Sequence, residues 1–491
     1  MVLYLRGHDY HFELQNVCRL FLPQEKLVVA SSADTPSDGA ALTAVLDRGE
    51  KDTALSCRLV LTDYEAMRTA NVSNDHPDYR NECELVLCEL LYELLCEAFG
   101  VEQEWGIVTG VRPVKLLRRL IAEDGEEAAM SRMRDRLHIS ERKLALCRTT
   151  LDAENRLLAL SEPRSFSLYV SIPFCPSRCD YCSFVSQTVT RAAKLIPTYV
   201  DRLAEELRYT GTLARELGLR LETVYFGGGT PTSLTAEELN RLTAAVAESF
   251  DLSTVREYTV EAGRPDTVTT EKMQVLKTAG VSRISINPQT LVDSVLQAVG
   301  RKHTVAQFYE AFEIARRCGH TNINTDLIAG LPTDTVQGFA DTMEGILALS
   351  PESVTVHTLS MKRAANLTLQ KRADYRGGED AVQMVRYAAE RLSAEGYHPY
   401  YLYRQSRTVG NQENVGWART GYEGLYNVYI MDETHTILGC GAGAVSKLKQ
   451  PNSEYLERIF NYKFPYEYND GLMEMLKRKT AVREFYGRFG L

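Results

Sequence analysis

Six short runs rich in apolar and β-favouring residues recur through the middle of the chain, at residues 168–172, 223–226, 257–261, 283–287, 322–328 and 353–357. Between them the apolar positions shift to a helical period, near residues 195–217, 235–249, 270–279, 304–318 and 334–348. Strands that alternate with helices in this way predict a parallel sheet, here an α/β fold with a partial (β/α)6 barrel. Sites in such barrels lie at the C-terminal ends of the strands.

The flanks are patterned differently. Residues 1–100 mix strand-like runs at 2–5, 26–30 and 54–61 with a helix over 81–99, which predicts a small α/β domain. Residues 101–165 predict a helical connecting region, with Pro113 in the first turn of a helix through Leu120 and a second helical stretch over 130–157. The barrel is assigned to 166–375. A C-terminal α+β accessory domain over 376–491 is expected to cover its open side. That domain begins with a helix over 380–396, continues with strand-like runs at 399–404, 428–431 and 436–438, and ends in a helical tail. Its glycine strip Gly439-Cys-Gly-Ala-Gly443 reads either as a place for close backbone approach to a ligand or as a tight packed turn.

The polar and glycine-rich oddities of the middle segment all fall at predicted strand ends. After the first strand comes Tyr169-Val-Ser-Ile-Pro-Phe-Cys-Pro-Ser-Arg-Cys-Asp-Tyr-Cys-Ser-Phe184, which carries Cys175, Cys179 and Cys182. The second ends in Gly227-Gly-Gly-Thr-Pro-Thr232, the third in Glu261, and the fourth runs into Gln289. The fifth carries Asp326 ahead of Gly330-Leu-Pro332, and the sixth ends at His357. Three thiols on one loop fit an iron–sulfur cubane with one iron left open to a small molecule. A structural zinc site would want a fourth ligand nearby, yet neither Cys nor His follows Cys182 until His303, and a disulfide would leave one thiol over. The other cysteines, Cys18, Cys57, Cys83, Cys88, Cys96, Cys147, Cys318 and Cys440, stand mostly among apolar neighbours and read as buried thiols.

Composition narrows the class. At 491 residues the chain is too long for one core. With 44% hydrophobic and 25% charged residues it is neither disordered nor fibrous. A net charge of -9 argues against general affinity for nucleic acid, and Arg112, Lys115, Arg118 and Arg119 read as a solvated helix face. No apolar run approaches a membrane span and the N-terminus lacks signal-peptide character, so a cytoplasmic protein is expected.

Cys-x3-Cys-x2-Cys, the Gly-Gly-Gly-Thr-Pro-Thr strip and the strand-end acid together resemble the radical S-adenosylmethionine (SAM) superfamily and its TIM-like partial barrel. Tyr-Val-x-Ile-Pro-Phe-Cys, Asp326-Leu-Ile-Ala-Gly-Leu-Pro332 and Gly441-Ala-Gly-Ala-Val-Ser446 resemble the oxygen-independent coproporphyrinogen III oxidase family. The N-terminal extension with Gly110-Val-Arg-Pro-Val-Lys115 resembles its coproporphyrinogen dehydrogenase branch. The resemblance implies that Cys175, Cys179 and Cys182 hold a [4Fe–4S] cluster whose fourth iron is chelated by SAM. It further implies that Gly227, Gly228, Gly229 and Glu261 contact SAM, with Tyr169 and Tyr181 as aromatic positions around cluster and adenine and Val356 and Val445 as apolar contacts. Gly229, Thr230, Gln289, Arg301 and Asp326 match a second SAM site, for which a plain Asp326–Arg301 salt bridge is the alternative. The implied reaction is oxidative decarboxylation of two coproporphyrinogen III propionates to vinyls by a SAM-derived 5′-deoxyadenosyl radical, giving protoporphyrinogen IX in haem biosynthesis. A flavodoxin or ferredoxin would donate electrons. Lys362, Arg363 and Arg404 are candidate partners for the substrate's carboxylates.

Two departures matter. The best-known oxidases have a further cysteine where this chain has Phe184 and a histidine where it has Ser171. The Cys-x-Phe form is shared with haem chaperones and with radical methyltransferases that open the haem ring, so the motif specifies cofactors better than substrate.

Overall fold

The structure is a computed structural model, and it describes residues 1–23, 25–30, 39–361, 378–451 and 453–490. Two compact units divide at Arg148.

The first unit, Met1–Arg148, holds a five-stranded sheet. Its strands are β1 (Val2–Arg6), β2 (Val28–Ala30), β3 (Ala41–Arg48), β4 (Asp52–Leu61) and β5 (Tyr64–Ser73), in the order β2-β1-β3-β4-β5. The helices His11–Phe21 and Tyr79–Phe99 bring Leu14, Val17, Leu87 and Leu91 into one core with Leu42, Leu55 and Leu59 of the sheet. Gly100 ends the longer helix in the left-handed region, which glycine enters without a Cβ penalty. The runs at 41–48 and 64–73 and the helix His11–Phe21 escaped the sequence pattern. On β5 every second side chain is exposed or only half-buried, so it carries too little apolar signal.

In the second unit, Thr149–Leu491, six strands run parallel in chain order: β6 (Ser165–Ile172), β9 (Arg220–Gly228), β10 (Glu257–Glu261), β11 (Arg283–Ser285), β12 (Ile323–Ala329) and β13 (Ser353–Thr358). The loop after β6 carries a two-stranded ribbon, β7 (Phe174–Cys175) with β8 (Gln187–Thr188). Helices return the chain after each of the first five barrel strands, at Ile196–Glu216, Ala236–Ser249, Thr270–Thr278, Val305–Arg317 and Val336–Leu349. Thr235 and Thr304 start two of them with full capping boxes. This is the expected partial (β/α)6 barrel.

Residues beyond 377 do not build a sheet of their own. The strands β14 (His398–Tyr403) and β15 (Asn414–Ala418) extend the barrel antiparallel from β13. At the opposite edge β16 (Thr436–Cys440) pairs parallel with β6, followed by β17 (Val445–Lys449) and β18 (Leu456–Phe460). The run at 428–431, expected as a strand, lies instead in the helix Leu425–Asp432. A tertiary partner decides this: the buried carboxylate of Glu257 accepts the N–H groups of Leu425 at 2.6 Å and Tyr426 at 3.3 Å, capping the helix from the barrel floor.

The glycine strip is a packed turn. Gly441 N–H donates to Glu206 Oε2 at 2.7 Å, and a Cβ on Gly441 would meet Ser171 O and Tyr199 Oη, each at 2.6 Å. Glu206 is fully buried, ion-paired with Lys479 at 3.2 Å and hydrogen-bonded by Asn461 and Tyr468. Lys479→Met leaves that carboxylate without its cation, and urea unfolding should show a loss of about 3–5 kcal/mol.

Six of the eight scattered cysteines are buried free thiols, while Cys96 and Cys318 are half-buried. Among the described residues no helix is long and apolar enough to cross a membrane.

Candidate functional site

Side chains alternate across a strand, so each barrel strand aims every second residue inward. Here the inward set is polar: Ser167, Tyr169 and Ser171 on β6; Thr223 and Tyr225 on β9; Glu257, Thr259 and Glu261 on β10. It continues with Arg283 and Ser285 on β11, Asn324 and Asp326 on β12, and Ser353, Thr355 and His357 on β13. They are joined by hydrogen bonds from floor to rim. Arg283 donates to Ser353 Oγ at 3.0 Å, Ser353 to Asn324 Oδ1 at 3.1 Å, and Asn324 Nδ2 to Asp326 Oδ1 at 2.7 Å. Above these opens a cavity of about 360 Å³.

The cysteine loop forms one wall of that cavity, and Cys175, Cys179, Tyr181 and Cys182 all line it. Burial pushes the Cys175 thiol up and the Cys182 thiol up to about 11, so metal loading at neutral pH releases protons. Among the described residues no three such side chains close on a single point that would hold one metal ion. A cubane takes one thiolate at each of three separate corners. The loop is pinned from outside: Asp180 N–H donates to Val299 O at 2.9 Å, and Arg301 donates to Tyr181 Oη at 3.0 Å.

The glycine strip of β9 is confined by backbone on one side and the site on the other. A Cβ on Gly229 would meet Phe174 O at 2.6 Å and Phe174 N at 2.8 Å, backbone atoms that cannot swing away. One on Gly227 would press on Tyr225 at 2.9 Å and on the Glu261 carboxyl at 3.3 Å. Gly229 N–H is spent on Ile172 O at 2.7 Å and Thr230 N–H on Phe174 O at 2.7 Å. The Thr230 hydroxyl meets Cys175 Sγ at 3.4 Å.

Glu261 faces the cavity from the end of β10 and accepts the Tyr225 hydroxyl at 2.5 Å. Burial, with Asp326 nearby, pushes its carboxyl up to about 7 against the opposing hydrogen bond from Tyr225. Asp326 lines the same cavity from β12, two strands along. Burial alone would raise it, yet the polar neighbours His357, Asn324 and Thr355 outweigh that and hold it below the usual carboxylate range. Two neighbouring carboxyl groups are thereby pushed apart, one toward the neutral acid and one toward the anion.

Most residues singled out from the sequence gather at this cavity: Cys175, Cys179, Tyr181, Cys182, Gly228, Gly229, Thr230, Glu261, Gln289, Arg301 and Asp326. Tyr169 lies behind the lining, stacked on Tyr225 at 6.3 Å and on Tyr426 at 6.1 Å. Val356 and Val445 do not line it. Val356 stands between Thr355 and His357, both inward, so the strand alternation turns it to the outer face. Val445 belongs to β17, two strands out from β6.

The Asp326–Arg301 salt bridge is replaced by other partners. His357 Nε2 stands 3.8 Å from Asp326 Oδ2, while Arg301 donates to Tyr181, to Gly263 O at 2.6 Å, to His303 Nδ1 at 3.1 Å and to Asn287 O. Arg404 is buried, donates to Asn411 O at 3.1 Å and is absent from the lining. Lys362 and Arg363 fall outside the described residues.

Gln289, four residues beyond β11 and bridged to Leu327 of β12, has a positive φ of 71° and a buried Oε1 without a hydrogen-bond partner. An unpaired buried acceptor in a cavity wall is costly unless a ligand donor meets it. Sequence reasoning missed Tyr225, Arg264, Arg283, Asn287, Asn324, Tyr401 and Tyr403, all of which line the cavity. For Tyr225, Arg283 and Asn324 the trace in the sequence is a polar residue at every second position of a barrel strand, while Arg264, Asn287, Tyr401 and Tyr403 lie off those strands.

Residues 169–346 match the radical SAM superfamily. The oxygen-independent coproporphyrinogen-III oxidase-like protein HemZ of Bacillus subtilis (strain 168) is 37% identical over 488 residues, covering 97% of this chain and 96% of that protein. The chain belongs to the coproporphyrinogen-III oxidase-like family of radical SAM proteins. The heme chaperone HemW of the same organism is 31% identical over 61% of this chain and 77% of its own length. A solved structure, coproporphyrinogen III oxidase (HemN) from Escherichia coli, aligns with a TM-score of 0.52 and 21% identity. The alignment covers 70% of this chain and 82% of that one, and the likeness is one of fold. As a radical SAM family member, the chain has a [4Fe–4S] cluster and SAM as its cofactors.

Proposed function

We propose that this protein is a radical SAM oxidoreductase that oxidatively decarboxylates two propionates of coproporphyrinogen III to vinyls. The observation that carries the reading is the convergence of the three-thiol loop, the glycine strip, Glu261, Asp326 and the unpaired Gln289 Oε1 on one cavity. The donor set fits the cofactors. Three thiols leave one cubane iron for SAM, and the strip has no side chain to obstruct an approaching molecule. When bound, the reduced cluster and SAM supply a 5′-deoxyadenosyl radical that abstracts a hydrogen atom from the substrate.

The chain's own groups do the rest. Cys175, Cys179 and Cys182 would hold the cluster. With the Gly229 N–H already spent, the strip has carbonyl oxygen to offer the SAM amino group, and ionised Glu261 would accept from it. Tyr225 orients that carboxylate. Asp326 and Gln289 add an anion and an acceptor along the next strands of the same rim, suited to the second SAM that two successive rounds call for. On the substrate, loss of a β-hydrogen, one electron and carbon dioxide converts each propionate to a vinyl. A one-electron acceptor is therefore required, and a low-potential flavodoxin- or ferredoxin-type donor would supply the cluster.

The test supplies coproporphyrinogen III and haem in parallel to anaerobically reconstituted protein with SAM, a reductant and an electron acceptor. A porphyrinogen product lighter by two formic-acid equivalents, with 5′-deoxyadenosine formed alongside, is expected. Formation of 5′-deoxyadenosine with the porphyrinogen unchanged, a methylated open-chain product from haem, or stoichiometric haem transfer without turnover would each overturn it.

A further inference from the structure

One buried cation beside the cysteine loop has no task in the scheme above. Arg264 follows the end of β10, lines the cavity and is 3% exposed. Its guanidinium faces two ways. Nε and Nη2 form a parallel fork on Asp266, meeting Oδ1 and Oδ2 at 3.1 Å each. Nη1 points into the loop, donating to Ser177 Oγ at 3.0 Å and Ser177 O at 3.3 Å, and it reaches Cys179 Sγ at 3.8 Å.

A bidentate fork fixes the plane of a guanidinium, so Asp266 determines where the third nitrogen points. Arg301 steadies the same segment from the other side through Gly263 O, the carbonyl next to Arg264 in sequence. Stapling the loop would need only the Ser177 contacts. A hydrogen bond and a positive charge at a ligand sulfur do more: reduction adds negative charge to the cluster, and both favour the reduced form. Lysine could bring the charge but not the fork that aims it.

We infer that Arg264, oriented by Asp266, is a positioning residue that sets the reduction potential of the cluster through its contact with Cys179. The inference rests on the assignment of the cluster to Cys175, Cys179 and Cys182. It predicts opposite effects from the two members of the pair. Arg264→Met removes the donor and its charge, so reduction becomes harder. Asp266→Asn keeps one carbonyl acceptor to anchor the guanidinium but removes the carboxylate that compensates its charge, so reduction becomes easier.

The experiment is a mediator-poised titration of the full-length reconstituted chain without SAM or substrate, read by the electron paramagnetic resonance of the reduced cluster, with iron and sulfide counted on each sample. A tenfold fall in the reduction equilibrium for Arg264→Met, which is about 59 mV downward for one electron, and an upward shift for Asp266→Asn are expected. Unchanged midpoints, or both variants moving the same way at full iron loading, would overturn the inference. If Arg264→Met fails to take up iron, Asp266→Asn decides alone: a rise supports the assignment and no rise defeats it. A Cys175/Cys179/Cys182 triple alanine chain that loads iron as well as the wild type would instead sink the cluster assignment itself.

Discussion

Cys179→Ala is expected to leave a folded protein with no stable [4Fe–4S] cluster and no detectable 5′-deoxyadenosine formation. Three thiolates serve three irons, and none of the other described thiols lines the cavity to replace the missing one. Cys179 is also the most enclosed of the three and the one that Arg264 reaches, so its loss strips the loop of a ligand and a buried cation of an acceptor. Iron and sulfide content after anaerobic reconstitution gives the answer without any substrate. Cys318→Ala, which removes a half-buried thiol elsewhere in the unit, should load as the wild type does. Wild-type cluster content in Cys179→Ala would refute the assignment.

The second large effect concerns Glu261. Glu261→Gln should weaken SAM binding by roughly 10–100-fold, the worth of a charge-assisted hydrogen bond. The same carboxyl makes SAM affinity depend on pH in a definite direction. Because it is pushed up to about 7, much of it is the neutral acid below that value and a far weaker acceptor for the SAM amino group. Affinity should therefore rise as pH increases toward about 7 and level off above it. Below the turn the slope approaches tenfold per pH unit. The glutamine variant should lose this dependence over the same window. Equilibrium dialysis of the reconstituted proteins across pH checks both statements, and an unchanged pH profile in Glu261→Gln would place the SAM amino group elsewhere.

The barrel was legible because its strands and helices differ in period and lie in chain order, with threonine caps opening four of the helices. The candidate site was legible at the strand ends, where cysteines and glycines in fixed spacing have few other uses. The inward-facing polar residues were not. Ser285, Asn324 and Thr355 alternate with apolar neighbours as they would on a strand with one face in water. Nothing local distinguishes that arrangement from a curled sheet closing on a ligand cavity. Val356 shows the same limit from the other side, since a match by sequence position carries no information about which face a strand presents.

The helix Leu425–Asp432 is the clearest case of tertiary override. Its residues are short, apolar and rich in tyrosine, equally suited to a strand, and a buried glutamate on a strand some 168 residues earlier supplies the cap that selects the helix.

By itself the sequence determined the alternation of strand and helix, the three-thiol loop and the glycine strip, because these depend on spacing along the chain. Only the tertiary structure decided that Asp326 is met by His357 and not by Arg301, that the glycine strip near the C-terminus is a packed turn, and that Arg264 reaches a cysteine sulfur 85 residues away. Those outcomes turn on direction and distance between side chains far apart in sequence. Burial then converts the distances into charge states, as it does for the unequal pair Glu261 and Asp326.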